Sequence, residues 1–302
     1  MKSLIYHRLK SVIKETRPDI ISVTTYSMSI TKEIFKTKKN AKLIIESHET
    51  CFTEIKEYSR MRSPMMRILA RIYDRQNTKY VNHFNRMITL TEGDANQWKK
   101  HISTSIEVIP NPLTEYPKSI LWPQKTHYRM IAVGRLENVK GFNKLIEAFA
   151  LIADKCPQWR IDIFGEGSCK ESLLALIAQH KIGRRVAILP STRNIYEEYR
   201  NSDFYMLSSQ HEGFGMVILE AMSCGIPCIS FDCDFGPREI IDDGVSGILV
   251  ENGNIKKLAE AMLWMTNHKD ERIQMGQKAR EHVKKYLINT VMSKWVDLFN
   301  NI

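Results

Sequence analysis

The sequence lacks the long apolar runs that mark membrane proteins and secreted precursors. It has no stretch of about 18 consecutive apolar residues, so no transmembrane helix is predicted. The first residues, MKSLIYHRLKSVIKETRPD, also lack the apolar core of a signal peptide. With 302 residues, of which 43% are hydrophobic and 26% charged, the chain has the composition of a two-domain globular protein, and we predict a cytoplasmic location.

Glycine is absent from residues 1–92. A doubly wound α/β domain ordinarily opens with a strand and a glycine-rich turn, whereas this chain opens with a predicted helix near Ser3–Thr16. The apolar strand predicted at Asp19–Thr24 would then have an unpaired edge, which is an aggregation hazard. We therefore expect the first domain to be incomplete, with residues missing upstream or supplied by another chain.

Paired CxxC motifs are absent as well. The clustered cysteines Cys224, Cys228 and Cys233 have CxxxC and CxxxxC spacing, whereas a metal site more often has CxxC pairs with histidines nearby. We favour the reading that the six cysteines of the chain are small apolar residues in a reducing compartment.

Positive charge is unevenly distributed. Residues 1–128 contain 22 Lys+Arg against 12 Asp+Glu, and residues 129–302 contain 22 of each, so the net charge of +10 belongs to the first part. Such a surface predicts an anionic partner, either membrane headgroups, a diphosphate lipid or nucleic acid. Nucleic acid is disfavoured because neither aromatic interleaving nor a known nucleic-acid module is present.

A basic amphipathic helix is predicted from Ser63 to about Asn77. Arg67, Arg71 and Arg75 recur every four residues, opposite an apolar side. This pattern fits a helix lying peripherally on the inner membrane surface. An ordinary domain helix with its arginines in water is the alternative.

Short apolar runs alternate with amphipathic stretches, which is typical of buried parallel strands joined by helices. This alternation predicts a doubly wound parallel sheet in each half, with a proline-rich linker at Ile109–Lys125. The predicted strands are Asp19–Thr24, Lys42–Ser47, Arg86–Leu90, Ile106–Ile109, Met130–Gly134, Arg160–Phe164, Val186–Leu189, Asp203–Leu207, Pro227–Ser230 and Gly247–Val250. The clearest predicted helices are Asn143–Asp154, Ser168–His180 and Met216–Cys224.

The loop VGRLENVKG, residues 133–141, follows a predicted strand and precedes a helix. Gly134 permits a tight turn, and Arg135 and Lys140 would reach the rim of the sheet where such folds bind ligands. Two cations on one loop suit a diphosphate. A solvated loop with scattered charges is the alternative.

The segment EGFGMVILE, residues 212–220, places one carboxylate at each end of a glycine-rich turn and helix start. A helix beginning near Met216 offers free N–H groups and a partial charge of about +0.5 e to an anion. In the alternative reading Glu212 is a helix cap and Glu220 is solvated. The apolar neighbours of Glu220 disfavour solvation, because a buried carboxylate needs partners.

Two further motifs give weaker signals. In FGEGS, residues 164–168, the glycines follow a strand, but Ser168 is an equally good helix N-cap. In GPREII, residues 236–241, proline near a helix start and glutamate in the first turn are ordinary helix-start chemistry, so we favour a structural role.

Taken in order, GRLENVKG, FGEGS, EGFGMVILEAMSCGIP and GPREIIDDGVSGILV resemble glycosyltransferase family 4 (group 1), whose retaining enzymes have the GT-B fold. The resemblance covers roughly residues 105–280 and is weaker over 19–104. It implies two Rossmann-like doubly wound domains facing a cleft: a partial acceptor-side domain at 1–118 and a donor-binding domain at 119–285. It also implies that a C-terminal helix at 286–302 packs back on the first domain.

The resemblance also implies residue roles. The family's EX7E signature falls on Glu212 and Glu220, so that Glu220 would hold the ribose hydroxyls and Glu212 would contact the transferred sugar. The family's diphosphate-binding cations fall on Arg135 and Lys140. The implied donor-binding set is completed by Gly134, by Thr192 in the base-binding loop 190–194, and by the backbone amides of Gly213, Phe214, Gly215 and Met216.

His48 follows a predicted strand of the first half. In the family, a histidine at a similar position faces the donor sugar across the cleft, whereas a lone histidine is more often structural. With His48, the implied catalytic set is Glu212, Lys140 and Arg135. The family binds its donor without metal, so no metal or other cofactor is expected, and the two cations take the place of a divalent ion.

These observations predict an enzyme that transfers a hexose or N-acetylhexosamine, with retention, from a nucleoside diphosphate sugar, UDP-linked by family analogy. The expected acceptor is a saccharide or polyprenyl-diphosphate-linked saccharide in bacterial surface polysaccharide synthesis. Two alternatives remain: an inactive or partner-dependent donor-binding fragment of such an enzyme, and a nucleotide-sugar epimerase.

Overall fold

A computed structural model describes residues 2–25, 30–48, 65, 68, 78–118 and 128–302. The chain forms two compact units: residues 1–110 together with 292–302, and residues 111–291. The chain therefore passes from the first unit to the second between Pro110 and Asn111, ahead of the predicted domain boundary at 118. It returns to the first unit after residue 291.

The first unit contains a parallel sheet whose strands lie in the order β1-β2-β3-β4. Leu43, Ile44 and Ile45 in the second strand are fully buried, which explains why the strand reads as one continuous apolar run. In the part of the chain that the structure describes, β1 lies at one end of this order, in agreement with the predicted edge. The elements are α1 (Lys2–Thr16), β1 (Ile20–Thr24), α2 (Thr31–Thr37), β2 (Lys42–Ser47), β3 (Arg86–Thr89), α3 (Glu92–Trp98) and β4 (Ile106–Val108).

The second unit is built on a parallel sheet of six strands. Its strands are β5 (Arg129–Val133), β6 (Arg160–Phe164), β7 (Val186–Leu189), β8 (Phe204–Leu207), β10 (Cys228–Asp232) and β12 (Gly247–Glu251). A separate two-stranded sheet consists of β9 (His211–Glu212) and β11 (Asp234–Phe235). The helices are α4 (Phe142–Ile152), α5 (Lys170–Gln179), α6 (Ile195–Arg200), α7 (Met216–Ser223), α8 (Pro237–Ile240), α9 (Ile255–Asn267), α10 (Lys269–His282) and α11 (Ile288–Asn300), of which the last continues into the first unit.

The strand order of the larger sheet is β12-β10-β8-β5-β6-β7. The chain starts at β5, moves outward through β6 and β7, and returns to the other side of β5 at β8, which is the order of a doubly wound dinucleotide-binding sheet. The order reverses between β5 and β8. Ligands of such sheets bind outside the carboxyl ends of the strands at this reversal, so the topology by itself places a candidate site there.

An apolar core holds this sheet to its helices. The fully buried residues Leu145, Ile146 and Phe149 of α4 recur at helical spacing and pack in one cluster with Met130 and Ile161 from the strands. Each buried side chain of this size stabilises the fold by about 1.5–3 kcal/mol. The rigid sheet therefore provides fixed positions for the loops that leave its carboxyl edge.

The predicted strands are present, with ends that shift by one or two residues. The predicted helix 143–154 is α4 followed by a 3₁₀ turn at Ala153–Lys155. Of the predicted basic helix 63–77, only Met65 and Ile68 lie within the described residues, where both are helical and exposed. Part of the predicted linker, 119–127, also lies outside them. None of the helices in the described ranges combines the length and apolarity that a membrane span requires.

Candidate functional site

The loop after β5 is fixed against the loop after β6. The N–H of Gly134 donates to the carbonyl oxygen of Phe164 at 3.0 Å, and the N–H of Leu136 donates to that of Glu166 at 2.8 Å. A Cβ atom at Gly165 would lie 1.9 Å from the oxygen of Gly134, so only glycine permits this approach. The motifs GRLENVKG and FGEGS thus form one surface.

Lys140 ends a short 3₁₀ helix, Asn138–Lys140, that closes this loop. Gly141 follows with φ of 63°, and a Cβ atom there would lie 2.1 Å from the carbonyl oxygen of Ser208. The Ser208 hydroxyl donates to the carbonyl oxygen of Lys140 at 2.9 Å. The loop is therefore anchored to the residues that follow β8, on the other side of the strand-order reversal.

Lys140 and Glu212 form an ion pair. Lys140 Nζ lies 2.6 Å from Glu212 Oε1, and the two side chains are only 20% and 11% exposed. Glu212 belongs to β9, which pairs with β11 and so fixes its backbone. The structure thus brings together a predicted diphosphate cation and a predicted sugar-binding carboxylate. Glu212 is not a helix cap.

Helix α7 begins without a side-chain cap. Gly215 precedes it with φ of 103°, a conformation that favours glycine. Phe214 is 4% exposed and packs edge-on against Tyr286, with ring centroids 5.7 Å apart. The turn from Gly213 to Met216 is therefore held by a buried aromatic anchor, and its N-cap glycine offers no side-chain oxygen to the first backbone N–H groups of α7.

Glu220 lies in α7 and is half-buried, so the solvated alternative is wrong. The Tyr199 hydroxyl donates to Glu220 Oε2 at 3.2 Å. Burial raises the pKa of the Glu220 carboxyl, and the hydrogen bond from Tyr199 opposes that rise because it favours the charged form. A carboxylate has about four acceptor positions, so this bond leaves capacity for a ligand hydroxyl.

A cavity of about 330 Å³ opens among the ends of β5, β6 and β7. This volume is within the range of small-molecule sites. Four predicted residues line it: Gly134, Arg135, Thr192 and Glu220. Of the remaining predicted residues, Lys140 borders Gly134, since its Cδ lies 3.7 Å from the Cβ position of that glycine. Glu212 is joined to this region through its pair with Lys140.

Sequence reasoning missed several lining residues. Glu166 lines the cavity and accepts a hydrogen bond from the Ser191 hydroxyl at 3.1 Å. The available signal is its position two residues after β6 in FGEGS, a motif that is weak by itself. Nothing in the sequence indicated Tyr199, because its partner Glu220 lies 21 residues away on another helix. The missed lining residues are Val133, Phe164, Gly165, Glu166, Ser191 and Ile195.

Ser168 of FGEGS and the motif GPREII make structural contacts. Ser168 does not cap a helix: α5 starts at Lys170 after Cys169 without a side-chain cap. Instead the Ser168 hydroxyl donates to the Glu137 carboxylate at 2.8 Å and ties FGEGS to the first loop. In GPREII, Pro237 opens α8, and Arg238 forms a two-point ion pair with Asp232.

His48 lies in the first unit, directly after β2. Its Nε2 is 3.1 Å from Glu46 Oε2, and the side chain is 36% exposed. The hydrogen bond with Glu46 raises the pKa of the imidazole. Glu46 also accepts a hydrogen bond from Ser22. Glu46 is thus a specific partner for His48, as a structural role would require. A role of His48 toward a donor sugar stays a prediction.

The five described cysteines are all free thiols, and Cys156, Cys224, Cys228 and Cys233 are buried. Burial raises the pKa of the Cys224 and Cys233 thiols to about 12, so both stay protonated at neutral pH. Among the described residues no cluster of three or more His, Cys, Asp or Glu side chains could hold a metal ion. Metal independence of the reaction stays a prediction.

Comparison with known proteins identifies the family. The sequence profile of the family described as glycosyl transferases group 1 matches residues 115–282, more than half of the chain. The chain belongs to the group 1 glycosyl transferases. The match contains the cavity, the Lys140–Glu212 pair and α7, and the prediction that this chain is a transferase enzyme is confirmed at the level of the family.

Two curated relatives illustrate the range of the family. The chain is 27% identical to an uncharacterized glycosyltransferase of Haemophilus influenzae over 96% of this chain and 79% of that protein. It is 31% identical to the poly(ribitol-phosphate) alpha-N-acetylglucosaminyltransferase of Staphylococcus aureus over 56% of this chain. It spans only 34% of the length of that second enzyme.

Solved structures agree on the fold. The crystal structure of TarM superposes with a TM-score of 0.80 at 25% identity, over 96% of this chain and 57% of that one. Anabaena HepE in complex with UDP superposes with a TM-score of 0.81 at 18% identity, over 98% of this chain and 82% of that one. The predicted fold class, Rossmann-like parallel α/β units of the GT-B type, is confirmed.

Proposed function

We propose that this chain is a retaining glycosyltransferase that uses a nucleoside diphosphate sugar, UDP-linked, as its donor. One observation carries the proposal: the cavity at the ends of β5–β7 combines Arg135 and Glu220, and Lys140, paired with Glu212, borders it. A cation and a half-buried carboxylate in one cavity suit a ligand that has phosphates at one end and vicinal hydroxyls at the other.

Each donor group then has a partner. Glu220 accepts hydrogen bonds from the ribose hydroxyls, and loop 190–194 contacts the base through Thr192. Arg135, Lys140 and the N–H groups at the start of α7 neutralise the diphosphate. Glu212 binds hydroxyls of the transferred sugar. The ion pair between Lys140 and Glu212, at 2.6 Å, places the proposed partners of the diphosphate and of the sugar side by side.

In the transfer step, the bond between the anomeric carbon and the β-phosphate oxygen breaks, and an acceptor hydroxyl oxygen bonds to the same face of that carbon. The acceptor proton passes to the departing phosphate oxygen, and the nucleoside diphosphate leaves. The protein stabilises the charge that develops on the leaving group. Arg135 and Lys140 supply this stabilisation, and we therefore propose that transfer needs no metal.

The relatives support the donor and acceptor classes. The S. aureus enzyme is named for N-acetylglucosamine transfer to poly(ribitol phosphate). A mutant of S. aureus TarM has been solved with UDP, and HepE with UDP and glucose. We accordingly propose a hexose or N-acetylhexosamine donor and a saccharide or polyprenyl-diphosphate-linked acceptor of bacterial surface polysaccharide synthesis. Cytoplasmic location, with peripheral inner-membrane contact through the basic residues 1–128, is part of the same proposal.

The test measures UDP binding by calorimetry and UDP release from a panel of nucleotide sugars, each with and without EDTA. We expect Lys140→Ala, Glu212→Ala and Glu220→Ala to lose at least tenfold in UDP affinity or release. Each substitution removes a contact worth at least about 1.4 kcal/mol. The matched controls Lys155→Ala and Glu171→Ala remove exposed charges of the same unit and should behave like the wild type.

The outcomes separate the alternatives. UDP binding without release from any donor supports an inactive or partner-dependent donor-binding fragment. A changed sugar configuration in the donor without acceptor indicates an epimerase. If the wild type fails to bind UDP, or if all three site variants keep full affinity and release, the proposed site is wrong. Loss of release in EDTA that Mg²⁺ restores would overturn metal independence.

A further inference from the structure

A buried tyrosine lies behind the pocket carboxylate. Tyr199, in α6, is 0% exposed, and its hydroxyl donates to Glu220 Oε2 at 3.2 Å. Glu220 lines the cavity, whereas Tyr199 does not, so the hydroxyl reaches the carboxylate from the protein interior. Tyr199 is therefore not placed to contact a ligand in the cavity. It contacts Glu220, which is.

The ring of Tyr199 is fixed on two sides by other aromatic rings. Tyr196 packs against it at 6.1 Å and 88°, and Tyr205 at 5.9 Å and 79°, both edge-on. Tyr205 is itself 0% exposed, and its hydroxyl donates to the carbonyl oxygen of Val133 at 3.3 Å. A ring held in this way offers its hydroxyl in one position, with little entropy left to lose.

We propose that Tyr199 is a positioning residue for donor binding: its hydroxyl fixes the Glu220 carboxylate so that the second oxygen, Oε1, faces the nucleoside. The inference rests on the proposed function, since it assumes that Glu220 accepts hydrogen bonds from the donor. A buried carboxylate that is already held in place binds a diol more tightly than a mobile carboxylate, because no entropy is lost in ordering it on binding.

The hydrogen bond from Tyr199 also favours the ionised form of Glu220. Burial raises the pKa of Glu220, and the hydrogen bond from Tyr199 lowers it. Among the described residues, the titratable groups near this carboxylate include Tyr196 in α6, Tyr205 in β8, and Arg135 and Glu166 in the cavity lining. The tyrosines stay protonated across neutral pH because burial raises their pKa values. Below neutral pH, loss of donor affinity should therefore follow protonation of Glu220.

The test compares Tyr199→Phe with Tyr205→Phe. Each removes one buried hydroxyl and keeps the ring, but only the first removes a hydrogen bond to Glu220. We expect Tyr199→Phe to weaken UDP binding about tenfold at pH 7, the value of one charge-assisted hydrogen bond. We also expect the pH at which affinity is lost on acidification to rise, because Glu220 then protonates more readily. Tyr205→Phe should change neither quantity.

Thermal unfolding of both variants accompanies the titrations. If Tyr199→Phe is folded and binds UDP with the wild-type pH profile, while Glu220→Gln loses affinity, the positioning role is wrong and the proposed function stands. If both Phe variants lose affinity equally with an unshifted pH profile, the effect is packing and the inference is overturned. If the wild type does not bind UDP, the proposed function itself fails.

Discussion

At the scale of single residues, burial decides which charged side chains matter for stability. Arg272 is 3% exposed; its guanidinium contacts Asp203 Oδ1 at 3.2 Å and donates to the carbonyl oxygen of Met265 at 2.5 Å. It also lies 5.1 Å from the centre of the Trp159 ring. Asp203 Oδ2 in turn accepts from the N–H of Arg129 at 3.1 Å. These contacts join α10 to β5 and β8.

We expect Asp203→Asn to lower the free energy of unfolding by about 3 kcal/mol, because it leaves the Arg272 charge buried without its counter-charge. The measurement is urea unfolding followed by circular dichroism. Asp154→Asn is the control: this carboxylate is exposed, so its removal should change stability by less than about 0.5 kcal/mol. If both substitutions change the free energy of unfolding equally, the buried pair of Asp203 and Arg272 contributes nothing specific to stability.

The pair of His48 and Glu46 makes a second residue-scale prediction. The hydrogen bond with Glu46 raises the pKa of His48, although partial burial opposes it. Glu46→Gln removes the negative partner, so the His48 pKa should fall toward or below its ordinary value of about 6.5. Titration of the imidazole by NMR measures this directly, with His180, which is not paired with Glu46, as the reference in the same spectra. An unchanged His48 pKa would contradict the pairing.

At the scale of elements, the strands could be predicted from the sequence, whereas the contacts between side chains of different elements could not. Apolar runs such as LII, residues 43–45, and FYML, residues 204–207, become buried parallel strands, because both faces of the sheet are covered. The Lys140–Glu212 pair spans 72 residues, and the two-residue strands β9 and β11 are too short to produce a periodic signal. Glu166 and Tyr199 were missed for the same reason: their partners lie on other elements.

Loop anchoring gives a prediction at this scale. Gly141 and Gly244 both have positive φ, of 63° and 74°, but a Cβ atom at Gly141 meets the Ser208 carbonyl oxygen at 2.1 Å, whereas one at Gly244 meets nothing within 4 Å. Gly244→Ala therefore incurs backbone strain alone, about 1 kcal/mol. Gly141→Ala must also displace the loop that carries Lys140, so we expect a larger loss of stability and at least tenfold weaker UDP binding.

Calorimetric titration and thermal unfolding of the two alanine variants provide the comparison. Gly244→Ala should bind UDP like the wild type, since that residue lies outside the cavity lining. If Gly141→Ala also keeps wild-type affinity, then the position of Lys140 does not depend on this contact.

At the scale of the whole molecule, the excess of positive charge lies in residues 1–128, which contain the sheet of the first unit. Within its described part, one depression of about 380 Å³ is lined by four cations, Arg17, Lys38, Lys39 and Lys42, against the single acid Asp19. Each cation near an anionic membrane surface contributes about 1 kcal/mol, and physiological salt screens this attraction beyond about 8 Å. Several clustered cations are therefore needed for measurable binding.

We accordingly expect the protein to sediment with vesicles that contain phosphatidylglycerol, to do so less as salt rises, and to remain in solution with phosphatidylcholine vesicles. Replacing Lys38, Lys39 and Lys42 by glutamine should weaken this binding by at least tenfold, since three contributions of about 1 kcal/mol are removed. The control replaces three exposed lysines of the second unit, Lys155, Lys181 and Lys256, which lowers the net charge equally. Both triple variants lower the net charge equally, but only the first changes the local electrostatic field of the basic depression. Equal losses of vesicle binding in the two variants would therefore mean that the net charge, and not the basic depression of the first unit, governs the attraction.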